Sequence, residues 1–282
     1  MYQWLLRLGL YGLLCMVLPA PVKAATRIVS LNLCTDQLSL MLADRAEIAG
    51  LSPLARDCSG SVLCQKAQAM PVLAPTAENV IGAHPDVVLA GQFTARVAVK
   101  AAREIGAHVL TLPPASSLAD IPVQIMQVAQ AVGHPERGRQ MVEAFQKRLA
   151  ELSLARHPDD PVAVVYEANG FVGGSNSLPD DVLAHAGLRN LSTVAGITAA
   201  GRVPLETLLA QQPDLLVRDR SGQGYSLAQA MLDNPVLKQF FSKKHVVDIP
   251  ASLWLCGLPQ TLDAVDLLRQ AREGLIQTEG TQ

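Results

Sequence analysis

One pattern occurs twice in this chain, as Ala77-Glu-Asn-Val-Ile-Gly-Ala-His-Pro-Asp-Val-Val-Leu89 and as Leu205-Glu-Thr-Leu-Leu-Ala-Gln-Gln-Pro-Asp-Leu-Leu-Val217. In each copy seven residues separate a glutamate from an aspartate, a proline directly precedes the aspartate, and an apolar run follows it. The first part of each copy suits a short amphipathic helix, and Pro-Asp suits the turn into a buried strand. The repeat therefore predicts two lobes of one design, each with a glutamate at a matched place.

Short apolar runs alternate with helical stretches on both sides of this repeat. Strands are predicted at 27–31, 86–90, 108–112, 161–166, 214–217 and 245–249, and helices at 36–44, 97–105, 121–132, 136–154, 180–186 and from about 258 onward. Strand–helix–strand alternation is typical of parallel sheets. The predicted fold class is therefore α/β, with two Rossmann-like lobes that have parallel sheets and are joined by one long α-helix at 136–154.

The N-terminal segment has the composition of an export signal. Arg7 supplies a positive charge, an apolar run follows at 8–18, and small residues lead up to Ala24. The run is shorter than the ~20 residues of a membrane span, and an uncleaved anchor is the alternative. We predict a signal peptide at 1–24, an N-terminal lobe at 25–120, a connecting helical segment at 121–158 and a C-terminal lobe at 159–282.

The overall composition narrows the classes of function. Apolar residues make up 49% of the chain and charged residues 17%, which favours a large buried core over disorder. The formal net charge is -2 and no Lys/Arg-rich stretch occurs, so no nucleic-acid partner is expected. The chain contains no G-x-S-x-G, H-E-x-x-H, G-x-G-x-x-G or phosphate-loop motif. We therefore expect a protein that is not an enzyme, with a secreted enzyme on the same fold as an alternative.

Four cysteines lie beyond the predicted signal peptide, and an exported protein meets an oxidising compartment. Cys58 and Cys64 flank a loop-like stretch and are predicted to form a local disulfide. Cys34 and Cys256 each follow a predicted strand, one in each lobe, and are expected to face one crevice. They form either a disulfide across the cleft or two separate thiols, and this alternative stays open.

Three stretches give the chain a resemblance to a known family. They are Arg27-Ile-Val-Ser-Leu-Asn32, the two repeated units, and Ala186-Gly-Leu-Arg-Asn-Leu191. Together they resemble the class III periplasmic solute-binding proteins of ABC importers, which serve ferric-siderophore, haem and cobalamin uptake. The resemblance implies a periplasmic monomer, without a cofactor of its own, that binds a small-molecule metal chelate between its lobes. It would deliver this ligand to an ABC permease dimer in the inner membrane.

The same resemblance implies that Glu78 and Glu206, one in each lobe, dock the protein on the permease. The alternative is that each acid merely complements the dipole of its helix from the first turn.

The ligand crevice of open parallel sheets lies beyond the carboxyl ends of the strands. The segments at that edge nominate a set of ligand-binding residues: Asn32, Cys34, Thr35, Asp36, Phe93, Arg96, Tyr166, Asn169, Phe171, Arg218, Arg220, Trp254 and Cys256. Aromatic walls with a few placed polar groups suit a large planar or amphipathic ligand, and a guanidinium suits an anionic one. The alternative roles are core packing for the aromatic residues and loop ion pairs for Arg218 and Arg220.

The sequence leaves the identity of the chelate open among ferric siderophores, haem, cobalamin and related corrinoids. The alternative binding function is capture of a bare transition metal, for which Cys34, Asp36 and Cys256 would be the converging ligands.

Overall fold

A computed structural model describes residues 26–167, 170–198, 200–219, 231–241 and 245–279. It contains two α/β lobes that share one continuous apolar core. Within the described ranges no helix is both long enough and apolar enough to cross a membrane. The predicted signal peptide at 1–24 lies outside these residues.

The sheet of the N-terminal lobe has four parallel strands. They are β1 (Ile28–Ser30), β2 (Ile48–Gly50), β3 (Val87–Gly91) and β4 (His108–Leu112), and they lie in the order β2-β1-β3-β4. Every pairing among them is parallel, as predicted. The sequence pattern did not predict β2, because a strand of three residues is too short to show a periodicity.

The C-terminal lobe repeats this order and adds to it. Its strands are β5 (Val162–Tyr166), β6 (Phe171–Val172), β7 (Arg189–Asn190), β8 (Gly201–Arg202), β9 (Leu215–Asp219) and β10 (Val246–Ile249). Parallel pairing gives β7-β5-β9-β10, which matches the first sheet strand for strand. β6 and β8 extend the sheet in antiparallel fashion, so this sheet is mixed. Gly170, at φ 74°, lies in the reversal between β5 and β6.

Helices pack around both sheets. The N-terminal half contains α1 (Leu33–Leu42), α2 (Cys64–Ala67), α3 (Ala77–Ala83), α4 (Arg96–Glu104), α5 (Asp120–Ala131) and α6 (Pro135–Leu152). The C-terminal half contains α7 (Leu178–His185), α8 (Leu191–Val194), α9 (Leu205–Ala210), α10 (Pro235–Phe240) and α11 (Thr261–Glu279). The α1 helix begins earlier than predicted, because the Asn32 side chain caps it by accepting a hydrogen bond from the Cys34 N–H.

The long helix predicted between the lobes is α6. Pro135 occupies its first turn, where the fixed φ of proline suits a helix and its missing N–H leaves no bond unmade. The helix packs against α5 on one side and α11 on the other. Phe145 of α6 is buried in the apolar core that both lobes share, so packing joins the lobes as well as the chain itself.

The aspartate of the repeated unit performs the same task in both lobes. Asp86 accepts a hydrogen bond of 2.7 Å from the backbone N–H of Arg27, just before β1. Asp214 accepts one of 2.7 Å from the backbone N–H of Val162, at the start of β5. Each aspartate also donates its own N–H to the carbonyl of the same residue, at 2.9 and 2.8 Å. These paired bonds align the first strand of each lobe with the strand beside it.

The residue before each Pro-Asp closes its helix in the left-handed conformation. His84 follows α3 and Gln212 follows α9, and both have φ 47°. A left-handed residue turns the chain out of a helix, here directly into the Pro-Asp turn. The two copies of the repeat therefore share a backbone path as well as residue types.

Candidate ligand-binding cleft

Two adjoining cavities lie at the carboxyl ends of the strands. The first has a volume of about 260 Å³, and its lining includes Asn32, Thr35, Phe93, Leu112 and Gln124 of the N-terminal half. The second has a volume of about 510 Å³, and its lining includes Glu167, Gly174, Ser175, Ser177 and Trp254 of the C-terminal half. Pro114, Ala115 and Leu255 line both cavities, so together they form one cleft between the lobes.

The first turn of α1 borders the first cavity. Asn32 caps the helix through its Oδ1, which accepts from the Cys34 N–H at 3.0 Å. The buried Thr35 hydroxyl donates to the Asn32 carbonyl at 3.0 Å and lies 2.8 Å from the Ser30 hydroxyl. Gly91 makes room for this cap, because a Cβ there would fall 2.7 Å from Asn32 Nδ2. Asn32 and Thr35 are therefore held in fixed positions at the cavity edge.

The first turn of α7 borders the second cavity in a similar way. Ser177 caps this helix by accepting from the Asp180 N–H, and its hydroxyl donates to the Gly174 carbonyl at 2.9 Å. Asn176 has φ 62°, a left-handed conformation that asparagine tolerates better than most residues. The result is a wall of small polar residues and backbone groups.

A disulfide links the lobes beside the first cavity. Cys34 of α1 and Cys256, which follows β10, have Cα atoms 5.2 Å apart and are bonded through sulfur. The alternative left open by the sequence is thus decided in favour of the bridge. Cys34 lines the first cavity, and Cys256 is buried. The predicted Cys58–Cys64 disulfide is also present.

This disulfide argues against a bare-metal site formed by Cys34, Asp36 and Cys256. Sulfurs bonded to each other are not thiolates, and the thiolate is the metal ligand. Asp36 is fully buried and accepts from the Ser52 N–H at 3.1 Å and from the Ser52 hydroxyl at 2.5 Å. Burial raises the pKa of Asp36 to about 7, although the Ser52 hydrogen bonds act in the opposite direction. The three residues therefore do not form a metal site in this structure.

Six of the predicted ligand-binding residues line neither of these cavities: Asp36, Arg96, Tyr166, Phe171, Arg218 and Cys256. Tyr166 is fully buried in the C-terminal lobe, where its hydroxyl donates to the Val203 carbonyl at 3.4 Å, because strand alternation turns this side chain into the core. Arg218 donates to both carboxylate oxygens of Asp248, at 2.7 and 2.9 Å. Its guanidinium therefore forms an ion pair between β9 and β10.

Two predicted aromatic residues do line the cleft. Phe93 is 83% exposed and borders the first cavity. Trp254 is buried against the shared core and borders the second. The cleft thus has one aromatic wall from each lobe.

The predicted contacts of Arg96 and Phe171 with the cleft are not found, and two further predicted residues lie outside the described chain. Arg96 is exposed at the first position of α4. Phe171 lies under Arg202, whose guanidinium carbon is 5.5 Å from the ring centroid. Asn169 and Arg220 fall outside the described residues.

Several residues that line the cleft are absent from the predicted ligand-binding set, among them Leu255 and Gln124. Leu255 is 58% exposed and borders both cavities. Gln124 of α5 is 5% exposed and donates to the Pro113 carbonyl at 3.0 Å. A signal for Gln124 was present, because it lies between Ile121 and Ile125 on the apolar face of the predicted helix, where a polar residue is unusual.

Glu78 and Glu206 occupy matched exposed positions. Each lies in the first turn of its helix, α3 or α9. Because each helix runs back toward the start of the strand that follows it, both first turns lie toward the cleft end of the sheets. This placement suits a shared docking face, and it also complements the two helix dipoles.

One cluster outside the cleft has the composition of a metal site. Asp44, Glu47 and His134 bring candidate ligand atoms within 4.8 Å of one another. His134 Nε2 lies 2.7 Å from Glu47 Oε2, and Arg137 donates to Asp44 at 2.9 Å. The Arg137 guanidinium lowers the pKa of Asp44. We interpret the cluster as a hydrogen-bonded network, with one ion pair between Arg137 and Asp44, that fastens the start of α6 to the N-terminal lobe.

Comparison with known proteins agrees with this architecture. Residues 28–253 match the family model described as periplasmic binding protein, and the chain belongs to that family. No curated protein matches the chain significantly by sequence.

Solved structures share the fold at low sequence identity. The periplasmic haem-binding protein RhuT from Roseiflexus sp. RS-1, in its apo form, is 22% identical with a TM-score of 0.71, over 88% of this chain and 99% of its own. The periplasmic haem-binding protein HutB of Vibrio cholerae is 19% identical with a TM-score of 0.71, over 88% of this chain and 98% of its own. The periplasmic vitamin B12-binding protein BtuF of Vibrio cholerae is 16% identical with a TM-score of 0.69, over 89% of this chain and 98% of its own.

Proposed function

We propose that this protein is the periplasmic substrate-binding component of an ABC importer for a metal chelate. The observation that carries the proposal is the cleft between two lobes of one design, in a chain of the periplasmic binding protein family. The three similar structures named above are described as binding haem or vitamin B12, which are both metal chelates. Their identity to this chain is too low to transfer a ligand, so the chelate class rests on the cleft itself.

The chemistry of the cleft supports a large, partly apolar ligand. Phe93 and Leu255 are exposed without a ligand, and covering such a side chain contributes about 1.5–3 kcal/mol. Asn32 and Thr35 add fixed polar groups beside these apolar walls, a combination typical of small-molecule pockets. Cys34 and Cys256 would contribute as a disulfide wall.

Other predicted contacts belong to the outer part of this proposed site. Arg96 and Phe171 are proposed contacts at the rim, where an anionic or aromatic part of a chelate could reach them. Asn169 and Arg220 stay predictions.

The proposed transport cycle takes place in the periplasm. Membership of the family supports that location, and a signal peptide at 1–24 would bring the chain there. A monomer with Glu78 on one lobe and Glu206 on the other would present two acids to the two subunits of a permease dimer. The family is one of binding proteins, and we propose no catalytic activity.

Intrinsic fluorescence tests the binding function, because Trp254 is the only tryptophan once residues 1–24 are removed. Purified mature protein is titrated with hemin, cyanocobalamin and a ferric trihydroxamate. We expect at least one chelate to quench the emission with a Kd on the order of 1 µM or below. Calorimetry on Trp254→Phe, which lacks the signal, separates binding from optical artefacts. The proposal fails if no chelate binds and none is found by mass spectrometry in native periplasmic preparations.

A further inference from the structure

We propose that the first cavity is a subsite for an uncharged, hydrogen-bonding arm of the chelate, such as an amide or a hydroxyl group, and that Gln124 and Asn32 recognise this arm. The inference rests on the function proposed above and specifies the kind of chelate that the cleft selects.

Gln124 supplies a hydrogen-bond acceptor. Its side chain lies on the buried face of α5 beside Ile121 and Ile125, and its amide nitrogen donates to the Pro113 carbonyl at 3.0 Å. Among the described residues no group donates to its carbonyl oxygen, and that oxygen is not sealed inside the core. Gln124 lines the first cavity, so the oxygen is open to the ligand space. A ligand that covers this oxygen must supply a donor to it, because an acceptor that is buried without a partner is unfavourable.

Asn32 supplies the complementary donor. Its Oδ1 is engaged by the Cys34 N–H at 3.0 Å, so the Nδ2 group is left for another partner. Gly91 leaves the space that this amide needs, since a Cβ there would lie 2.7 Å from Nδ2. Asn32 lines the same cavity as Gln124. A donor and an acceptor in one small cavity match a group that both accepts and donates, as primary amides and hydroxyls do.

The same cavity contains no charged side chain among the described residues that line it, since none of them is Asp, Glu, Lys, Arg or His. Apolar surface from Leu112, Leu255 and the cross-lobe disulfide surrounds the two amides. An unpaired charge buried there would be strongly unfavourable, whereas an amide or hydroxyl finds its partners. The geometry therefore favours a chelate with an uncharged periphery over one that places a carboxylate or a catecholate in this cavity.

The test compares four probes and three variants of the disulfide-bonded mature protein. The probes are cyanocobalamin and a ferric trihydroxamate, which have uncharged arms, and hemin and a ferric tricatecholate, which are anionic. Gln124→Met removes the amide while keeping the length of the side chain. Asn32→Asp keeps the helix cap but replaces the donor with a negative charge. Gln127→Met is the matched control, because Gln127 lies on the exposed face of the same helix.

We expect the tightest binding from cyanocobalamin or the ferric trihydroxamate. Gln124→Met and Asn32→Asp should each weaken that binding at least tenfold, and Gln127→Met should leave it within twofold. Tightest binding of an anionic probe would overturn the subsite while leaving the proposed function intact. The same holds if both cleft variants, folded by circular dichroism, bind the preferred chelate within twofold of the wild type. Binding of none of the four probes would overturn the proposed function and this inference with it.

Discussion

The two lobes start their sheets with the same backbone hydrogen bonds, but they line the cleft with different side chains. In both, the Pro-Asp turn clamps the start of the first strand, with Asp86 bonded to Arg27 and Asp214 bonded to Val162. The strand orders β2-β1-β3-β4 and β7-β5-β9-β10 are also equivalent. A shared scaffold thus positions the two halves of the site.

A second matched contact links the first helix of each lobe to its edge strand. Asp36 in the first turn of α1 accepts from Ser52, just past β2. Asp180 in the first turn of α7 accepts from the Asn190 side chain, in β7, at 2.9 Å. The environments differ, because Asp36 is fully buried whereas Asp180 is partly exposed.

The lobes differ most at the ends of their strands. The N-terminal lobe offers Asn32, Phe93 and Gln124 around a small cavity. The C-terminal lobe adds β6 and β8 and offers a serine- and glycine-rich turn beside Trp254. Backbone hydrogen bonds near the strand starts maintain the common frame, and the loops at the opposite ends are free to carry ligand chemistry.

Reversing the charge of both docking acids should have the largest effect. The family resemblance implies that each glutamate meets an arginine of one permease subunit. In Glu78→Arg/Glu206→Arg, like charges would then face each other across the docking surface, at a cost of several kcal/mol. Chelate uptake in cells should fall to background, while the Kd of the purified protein stays within twofold. The single variants show whether the two lobes contribute equally. Normal uptake by the double variant, or loss of chelate binding, would contradict a docking role.

The two disulfides should differ in their contribution to stability. Cys34–Cys256 joins residues 222 positions apart, whereas Cys58–Cys64 joins residues 6 apart within one lobe. Loop-closure entropy gives about 5 kcal/mol for the first and about 2 kcal/mol for the second. Denaturant unfolding of the two Cys-to-Ser double variants measures the difference. Equal losses would contradict the dependence of the stabilisation on loop length.

Burial of Asp36 should make stability depend on pH. Because the pKa is raised from 3.8 to about 7 in the folded protein, the folded state binds more protons than the unfolded chain between these values. Stability should therefore fall as pH rises from about 4 to 7, by a few kcal/mol at about 1.4 kcal/mol per pKa unit. Unfolding of wild type and Asp36→Asn across this range isolates the effect, since the variant lacks the titrating group.

The matched substitution Asp180→Asn controls for losing an acid from a first helical turn. A wild-type pH profile that runs parallel to that of Asp36→Asn would show that the Asp36 carboxyl does not titrate in this window.

The hydrogen bonds that Asp86 and Asp214 accept should contribute similar amounts to stability, and these amounts should be smaller than those above. Asp86→Ala and Asp214→Ala each remove a charge-assisted bond to a backbone N–H at an exposed position, worth about 1–2 kcal/mol. Denaturant midpoints should shift by similar amounts in the two variants. Asp159→Ala, at a side chain that is 90% exposed, should change stability by less than about 0.5 kcal/mol. A large difference between the two clamp variants would show that the lobes are not equivalent in stability.

The sequence alone determined the two-lobe α/β plan of this protein. Hydrophobic periodicity located β4 at His108–Leu112 and the long helix α6 within a few residues, and the Pro-Asp repeat marked the equivalent turns. These signals are local, because a turn or an amphipathic face depends on residues that are close in the sequence. The Cys58–Cys64 disulfide was predictable for the same reason, since its partners lie 6 positions apart.

Only the tertiary structure decided which side chains line the cleft. The bond between Cys34 and Cys256 depends on where two distant strand ends meet, which no local pattern encodes. Tyr166 is the last residue of a correctly predicted strand yet points into the core, because one step along a strand reverses the side-chain direction. Gln124 comes to the cavity from a helix that the strand-end rule does not consider. Packing between elements far apart in the chain sets these side-chain positions, and that packing exists only in the folded protein.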